Sequence, residues 1–320
     1  MSKTRLDPTP GASLGKTPVA YVVFNRPRHT RETFAAIRAY RPSQLFVIAD
    51  GPREAHPTDI ERCREVRSIV SAIDWPCEVF QNFSDRNLGA GRRMSSGLDW
   101  MFSEVDRAIV LEDDCLASPQ FFTFCDALLE RYQDCESVWC INGNSYQAQF
   151  QRGDGSYFFS NFPDPWGWAT WRRAWRHFQR DLPFLDEWQK SSRWNATFPK
   201  RSERRYFRRI FQQALSGAVD AWDYQWIGCV LYGGGICAVP NANLVNNIGL
   251  DGEATHTKKR VSHWCYDVTP LDISVHPANI AVDIEADAYC RQVFLSRPGL
   301  ARRIARRCQR FLVAVSKALH

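Results

Sequence analysis

The chain has no Cys-x-x-Cys pair, no long uninterrupted apolar run and no internal repeat. Its 11 cysteines are odd in number and scattered, which argues against a disulfide scaffold or a ribbon-type zinc site and for a reducing compartment. Without a run of about 18 apolar residues, nothing in the sequence reads as a membrane-spanning helix. The lack of a repeat sets aside solenoids and propellers. The N-terminus has no charged start followed by an apolar core. Instead Met1 to Lys16 is polar and rich in Pro, Gly and Ser, the pattern of a short disordered leader before a fold that begins at Thr17. No nucleic-acid motif is present, and the net charge of +6 is modest.

What is there suits one large α/β domain: 320 residues can bury a sizeable core. Aromatics make up 13% of the chain, and many of the 12 tryptophans fall between Tyr157 and Trp226. Rings in that density either line a groove or pack a core. Much of the basic excess sits at the C-terminus. There Arg302, Arg303, Arg306, Arg307 and Arg310 alternate at helical spacing with Leu300, Ile304, Phe311, Leu312 and Val315. That is a basic amphipathic helix, suited either to an anionic membrane surface or to packing on the domain.

Apolar runs at Val19 to Phe24, Leu45 to Ala49, Cys77 to Phe80, Ala108 to Leu111 and Val138 to Ile141 read as buried strands. Amphipathic segments separate them at Thr30 to Tyr40, Ile60 to Ile73, Arg92 to Phe102 and Phe121 to Tyr132. The alternation predicts a mostly parallel sheet with right-handed crossovers. From Tyr157 the texture changes, and Asn161 to Trp171, crowded with Pro, Gly and Trp, reads as loop. We place the divide near residue 150: a first half over 17–150, a second half of the same domain over 151–260, and an extension over 261–320. Arg172 to Arg180 and Glu203 to Leu215 are expected to be helices.

The fourth strand runs straight into Glu112, Asp113 and Asp114. Adjacent carboxylates repel, so they must stay solvated, divide their roles or share a cation. Hard oxygen ligands at a strand's carboxyl end suit Mg²⁺ or Mn²⁺ holding a diphosphate; an acidic strand-to-loop corner is the plainer alternative. Asp50, in Asp-Gly-Pro after the second strand, is either a nucleoside contact or a turn residue.

Taken in order, Phe24-Asn25-Arg26-Pro27, Ala49-Asp50-Gly51, Asn87-Leu88-Gly89 and Leu111-Glu112-Asp113-Asp114 resemble a GT-A glycosyltransferase. The Glu-Asp-Asp form is similar to the N-acetylglucosaminyltransferase I branch, and the chain to bacterial hemolytic-protein-like glycosyltransferases; the likeness spans roughly residues 17 to 260. It implies a GT-A, Rossmann-like sheet flanked by helices with acceptor-side loops. Asp114 would bind Mn²⁺ or Mg²⁺, with His256 brought back as a second ligand, while Asp113 and Glu112 would contact ribose and donor sugar. Asp50 would read the nucleoside. Asp223, in Trp222-Asp-Tyr-Gln-Trp226, would be the base of an inverting enzyme, with Asp220 the one nearby carboxylate able to exchange roles. Gly167, with Trp168 beside it, would shape the pocket loop. Phe24, Asn25, Arg26, Asn87, Gly89 and Arg92 complete the expected donor contacts, with Arg86 and Arg93 as further phosphate candidates.

The resulting expectation is a metal-dependent glycosyltransferase. It would move a sugar from a nucleotide diphosphate donor, UDP foremost, to a glycan or lipid-linked acceptor in surface polysaccharide synthesis. Its expected place is the cytoplasm, peripheral on the inner face of the membrane if the C-terminal helix docks there. A sugar nucleotidyltransferase, or a non-catalytic glycan-binding protein, is the alternative. Against the former, Asn25-Arg26-Pro27-Arg28 stands where a Gly-rich basic loop belongs.

Overall fold

The structure, a computed structural model, describes residues 2–5, 17–147, 150–249 and 267–295. Its first half runs β1 (Ser2–Arg5), β2 (Val19–Val23), α1 (Pro27–Tyr40), β3 (Gln44–Ala49), α2 (Thr58–Ser71), β4 (Glu78–Phe83), α3 (Ala90–Glu104) and β5 (Arg107–Glu112). There follow β6 (Cys115–Ala117), α4 (Pro119–Arg131), β7 (Val138–Asn142), β8 (Tyr157–Ser160) and β9 (Trp168–Trp171). The remainder is α5 (Arg172–Trp175), α6 (Leu185–Lys190), α7 (Ser192–Thr197), α8 (Arg201–Leu215), α9 (Asp223–Gly233), β10 (Ile236–Pro240), β11 (Val245–Asn247) and α10 (Ile284–Leu295).

Nine strands form one sheet in the order β1-β4-β3-β2-β5-β9-β7-β10-β8, with β2, β3, β4, β5, β7 and β10 pointing the same way. This is the mostly parallel, helix-flanked, Rossmann-like α/β architecture read from the sequence. Helices cover both faces, which is why the strands read as unbroken apolar runs. Side chains alternate between two cores: Ala20, Phe46, Ile48 and Val110 face one, and Tyr21, Val47, Ile109 and Leu111 face the other.

Helix starts follow local chemistry. Pro27 opens α1 at a position where its missing N–H costs nothing, and Ser118 caps α4 by accepting from the Phe121 amide. The segment Asn161 to Trp171 departs from the loop expected there. Its last four residues form β9, wedged antiparallel between β5 and β7 in the middle of the sheet. Two tryptophans and a threonine, all buried with the small Ala169 between them, suffice for a short central strand, even behind a Pro-rich lead-in.

The helix expected over Arg172 to Arg180 stops at Trp175. In the leader expected to lack structure, Ser2–Arg5 adds an antiparallel edge strand to β4. The first described part of the 261–320 extension is built into the domain: α10 docks through Asp287, which accepts from the Ser160 hydroxyl and the Asn161 side chain. The basic segment from Leu300 onward lies outside the described residues. No described helix is long and apolar enough to cross a membrane. The nine described cysteines are unpaired thiols.

Candidate active site

Strand order reverses between β2 and β5, with β3 and β4 on one side and the later strands on the other. Open α/β sheets bind ligands in the crevice that such a reversal leaves at the strands' carboxyl ends. Phe24, Asn25 and Arg26 leave β2 at that point, and Glu112, Asp113 and Asp114 end or follow β5. The register that pairs Val22 with Glu112 brings the two groups together.

Arg26 bridges the acids. Its guanidinium donates to Asp113 Oδ1 and, over 3.0 Å, to Asp114 Oδ2. The other Asp113 oxygen accepts from the Phe24 amide at 3.2 Å. Asp113 is buried; the side chains of Arg26 and Asp114 are 14% and 17% exposed. Burial pushes the half-buried Glu112 carboxyl well above the ordinary range, and the charges of Asp114 and Asp113 push the same way. Burial also raises Asp113, but Arg26 pulls it back. The triplet thus divides its roles: burial makes Glu112 the carboxyl that most resists ionisation, and the two aspartates share one arginine. Across them lies the end of β11, which pairs with β6. The Ile248 amide donates to the Asp114 carbonyl at 2.8 Å. At Gly249 a Cβ would stand 2.5 Å from Asp114 Oδ2 and 3.0 Å from Arg26 Nη1, so only glycine permits this approach.

Asp50 organises the turn that follows β4. Its Oδ1 accepts from the Gly51 and Leu88 amides, both at 2.9 Å, and its Oδ2 from the Asn87 side chain at 3.0 Å and the Gly89 amide at 3.1 Å. Asn87 is held in the same tie and also donates to the Gly51 carbonyl. Gly89, at φ +81°, turns the chain into α3. Asp220, 129 residues beyond Gly91, then caps that helix by accepting from the Ala90 amide at 2.7 Å and the Gly91 amide at 2.9 Å. Helix N-terminal amides need such acceptors, and this occupation removes Asp220 as a stand-in for the base. Asn25 also turns inward, donating to Asp59 at 2.6 Å, which Arg53 holds from its other side. Arg92 is exposed at the surface of α3, while Arg93 is buried with its guanidinium on Asn82.

Asp223 begins α9, its carboxylate in the first turn, where the helix dipole favours negative charge. It lies close enough to raise the proton affinity of Glu112, Asp164 and Tyr146. Burial is the main cause of those shifts, and the charge of Asp223 is the smaller addition felt at Glu112, which begins the acid triplet. Asp164 was not singled out in the sequence, although its place between two prolines in Phe162-Pro-Asp-Pro-Trp166 is a usable signal. It is buried, accepts from the Trp166 amide at 3.0 Å, and burial pushes its carboxyl up to about 7. Gly167, at φ +70°, packs where a Cβ would meet Val245 at 2.7 Å. Trp168 is a core residue rather than a ligand contact: it is 1% exposed and stacks on Trp222, the neighbour of Asp223, with centroids 5.4 Å apart.

The resemblance would make Asp114 a direct ligand of a divalent ion. Among the described residues no group of three His, Cys, Asp or Glu side chains has metal-binding spacing, and His256 lies outside them. Arg26 supplies the positive charge that the sequence leads one to expect from Mn²⁺ or Mg²⁺. The described residues alone do not form a metal cradle, and no chemical step is assigned to an ion.

No protein-family profile matches the chain, and no curated protein matches it by sequence. Solved structures with a similar arrangement include a mannosyltransferase from Pyrobaculum calidifontis in complex with GDP-Man and Mn²⁺, at 12% identity and TM-score 0.36, covering 71% of this chain and 72% of that one. A 4-diphosphocytidyl-2C-methyl-D-erythritol synthase from Anaerococcus prevotii aligns at 9% identity and TM-score 0.33, over 56% of this chain and 78% of that one. A UDP-glucose pyrophosphorylase complexed with UDP-glucose gives 8% identity and TM-score 0.31, over 50% and 78%. Likeness of this degree assigns no chemistry to the chain.

Proposed function

We propose that the protein is an inverting glycosyltransferase that uses a nucleotide diphosphate sugar. What supports this reading is Arg26 paired with the acids that follow β5 at the switch point of the sheet, with Asp223 at the start of α9 electrostatically felt at Glu112. Asp223 takes the proton of an acceptor hydroxyl, the oxygen attacks the anomeric carbon, and the bond to the nucleotide diphosphate breaks on the opposite face. Arg26 is the fixed positive charge nearest the departing diphosphate, in a low-dielectric crevice where one charge counts for more than in water. Asp50, Asn87 and Asp220 preorganise the 87–91 turn below it. UDP as nucleotide, a glycan or lipid-linked acceptor, and a role in surface polysaccharide synthesis at the inner membrane face are the finer parts of this proposal.

The test is transfer and donor hydrolysis with UDP-, GDP-, CDP- and dTDP-sugars by the full chain and by Asp223→Asn and Asp220→Asn. Asp223→Asn should lose transfer by about 10²–10⁴-fold while still binding donor, the range for a general base. Full transfer by Asp223→Asn sinks the assignment of the base. Exchange of pyrophosphate into the nucleotide sugar, without transfer, would instead make the protein a nucleotidyltransferase.

A further inference from the structure

Well away from this crevice, α8 lines a depression of about 370 Å³ with Arg201, Arg204, Arg205 and Arg208, and α6 and α7 contribute Gln189 and Trp194. The helix buries Tyr206, Phe207, Ile210 and Phe211 on its underside, so its arginines collect on one outward face. A row of surface arginines is ordinarily a solvated face. Three observations set this one apart.

Two of the four guanidiniums are held in place. Arg204 Nη1 donates to the Phe198 carbonyl at 2.7 Å and the Pro199 carbonyl at 2.6 Å, and Arg208 Nε donates to Gln189 Oε1 at 3.0 Å. Two buried donors in the lining, Gln189 Nε2 and Trp194 Nε1, lack a hydrogen-bond partner, although Trp194 is 1% exposed. A buried unsatisfied donor is costly, and it calls for an acceptor, whether water, an ion or a ligand. Finally, among the described residues no carboxylate meets any of the four arginines. The acid of α8, Glu203, is turned inward, accepting from the Lys200 amide and pairing with Arg291.

From this we infer that the depression, rich in donors and lined by no carboxylate, is a phosphate-binding site for a phosphate ester carried either by a lipid headgroup or by a soluble ligand. Planar guanidiniums match phosphate oxygens in pairs, and anchored ones lose little freedom on binding. The site is separate from the acid crevice. α8 is 15 residues long, about 22 Å, and only beyond its far end does the chain reach Asp220 and Asp223. The inference therefore stands whether or not the protein transfers sugars.

The experiment uses the full chain, the double variant Arg201→Gln/Arg205→Gln, which spares the two anchored arginines, and Arg26→Gln. Thermal melts confirm that each is folded. Inorganic phosphate is titrated calorimetrically, and sedimentation is measured with phosphatidylcholine vesicles with and without phosphatidylglycerol. Saturable phosphate binding is expected, weakened about tenfold or more in the double variant and retained in Arg26→Gln. Sedimentation that needs phosphatidylglycerol, is competed by phosphate and is lost in the double variant identifies a lipid headgroup. Phosphate binding with no vesicle response identifies a soluble ester. A folded protein that binds no phosphate, or a double variant that binds it as the parent does, overturns the inference.

Discussion

Replacing Arg26 by Gln removes the single positive charge between two carboxylates while keeping much of the side chain's volume. At the 3.0 Å separation from Asp114, a unit charge pair is worth roughly 5 kcal/mol at an effective dielectric of about 20. Exposures of 14% and 17% let solvent screen that contact, so about 2 kcal/mol should remain as competition against any other cation. Calorimetry with Mn²⁺ alone should therefore show the Arg26→Gln variant binding the ion about 30-fold more tightly than the parent. The variant should also be less stable near neutral pH by about 2–4 kcal/mol, because Asp113 loses its partner while buried. Without Arg26 the buried Asp113 carboxyl, already raised by burial, loses the charge that pulls it back and rises further above its unfolded value. The folded state then binds more protons there, so the deficit should shrink as pH falls through that raised value. Equal Mn²⁺ affinity in the two proteins would refute the view that Arg26 occupies the cation's place; equal stability at neutral pH would refute the ion pairs themselves.

Other outcomes follow from single contacts. Asp220→Ala should destabilise the fold by about 1 kcal/mol, read in denaturant melts, because two α3 amides lose their acceptor. Asp50→Ala should cost more, since four donors are left without their acceptor. Asp164 should give the protein a falling stability from about pH 4 toward pH 7, because its folded pKa, about 7, exceeds the unfolded value and ionisation is opposed by burial; Asp164→Asn should flatten that slope in melts across this range. Trp168→Ala should destabilise by about 3–5 kcal/mol, and loss of transfer in its folded fraction at low temperature would tie the ring to the placement of Asp223 through Trp222.

The strands β2, β3, β4, β5 and β7 and their covering helices were legible because burial on both faces leaves continuous apolar runs, and helix faces repeat at 3.6 residues. The acid triplet was legible as chemistry because three carboxylates in a row after such a run need a reason. Local pattern could not show β9, since a four-residue strand takes its identity from the neighbours on either side. Nor could it show which carboxylates are already occupied. Asp50 and Asp220 read in sequence like any other acid of a loop, and only the folded chain brings the backbone amides of residues 88–91 onto them. Asp164 and the arginines of α8 gained their meaning in the same way. A residue's type, and so the chemistry it can perform, is fixed by the sequence; whether its hydrogen bonds and charge are taken up depends on partners that folding brings to it, from Leu88 onto Asp50 to Ala90 onto Asp220, which only the tertiary structure supplies.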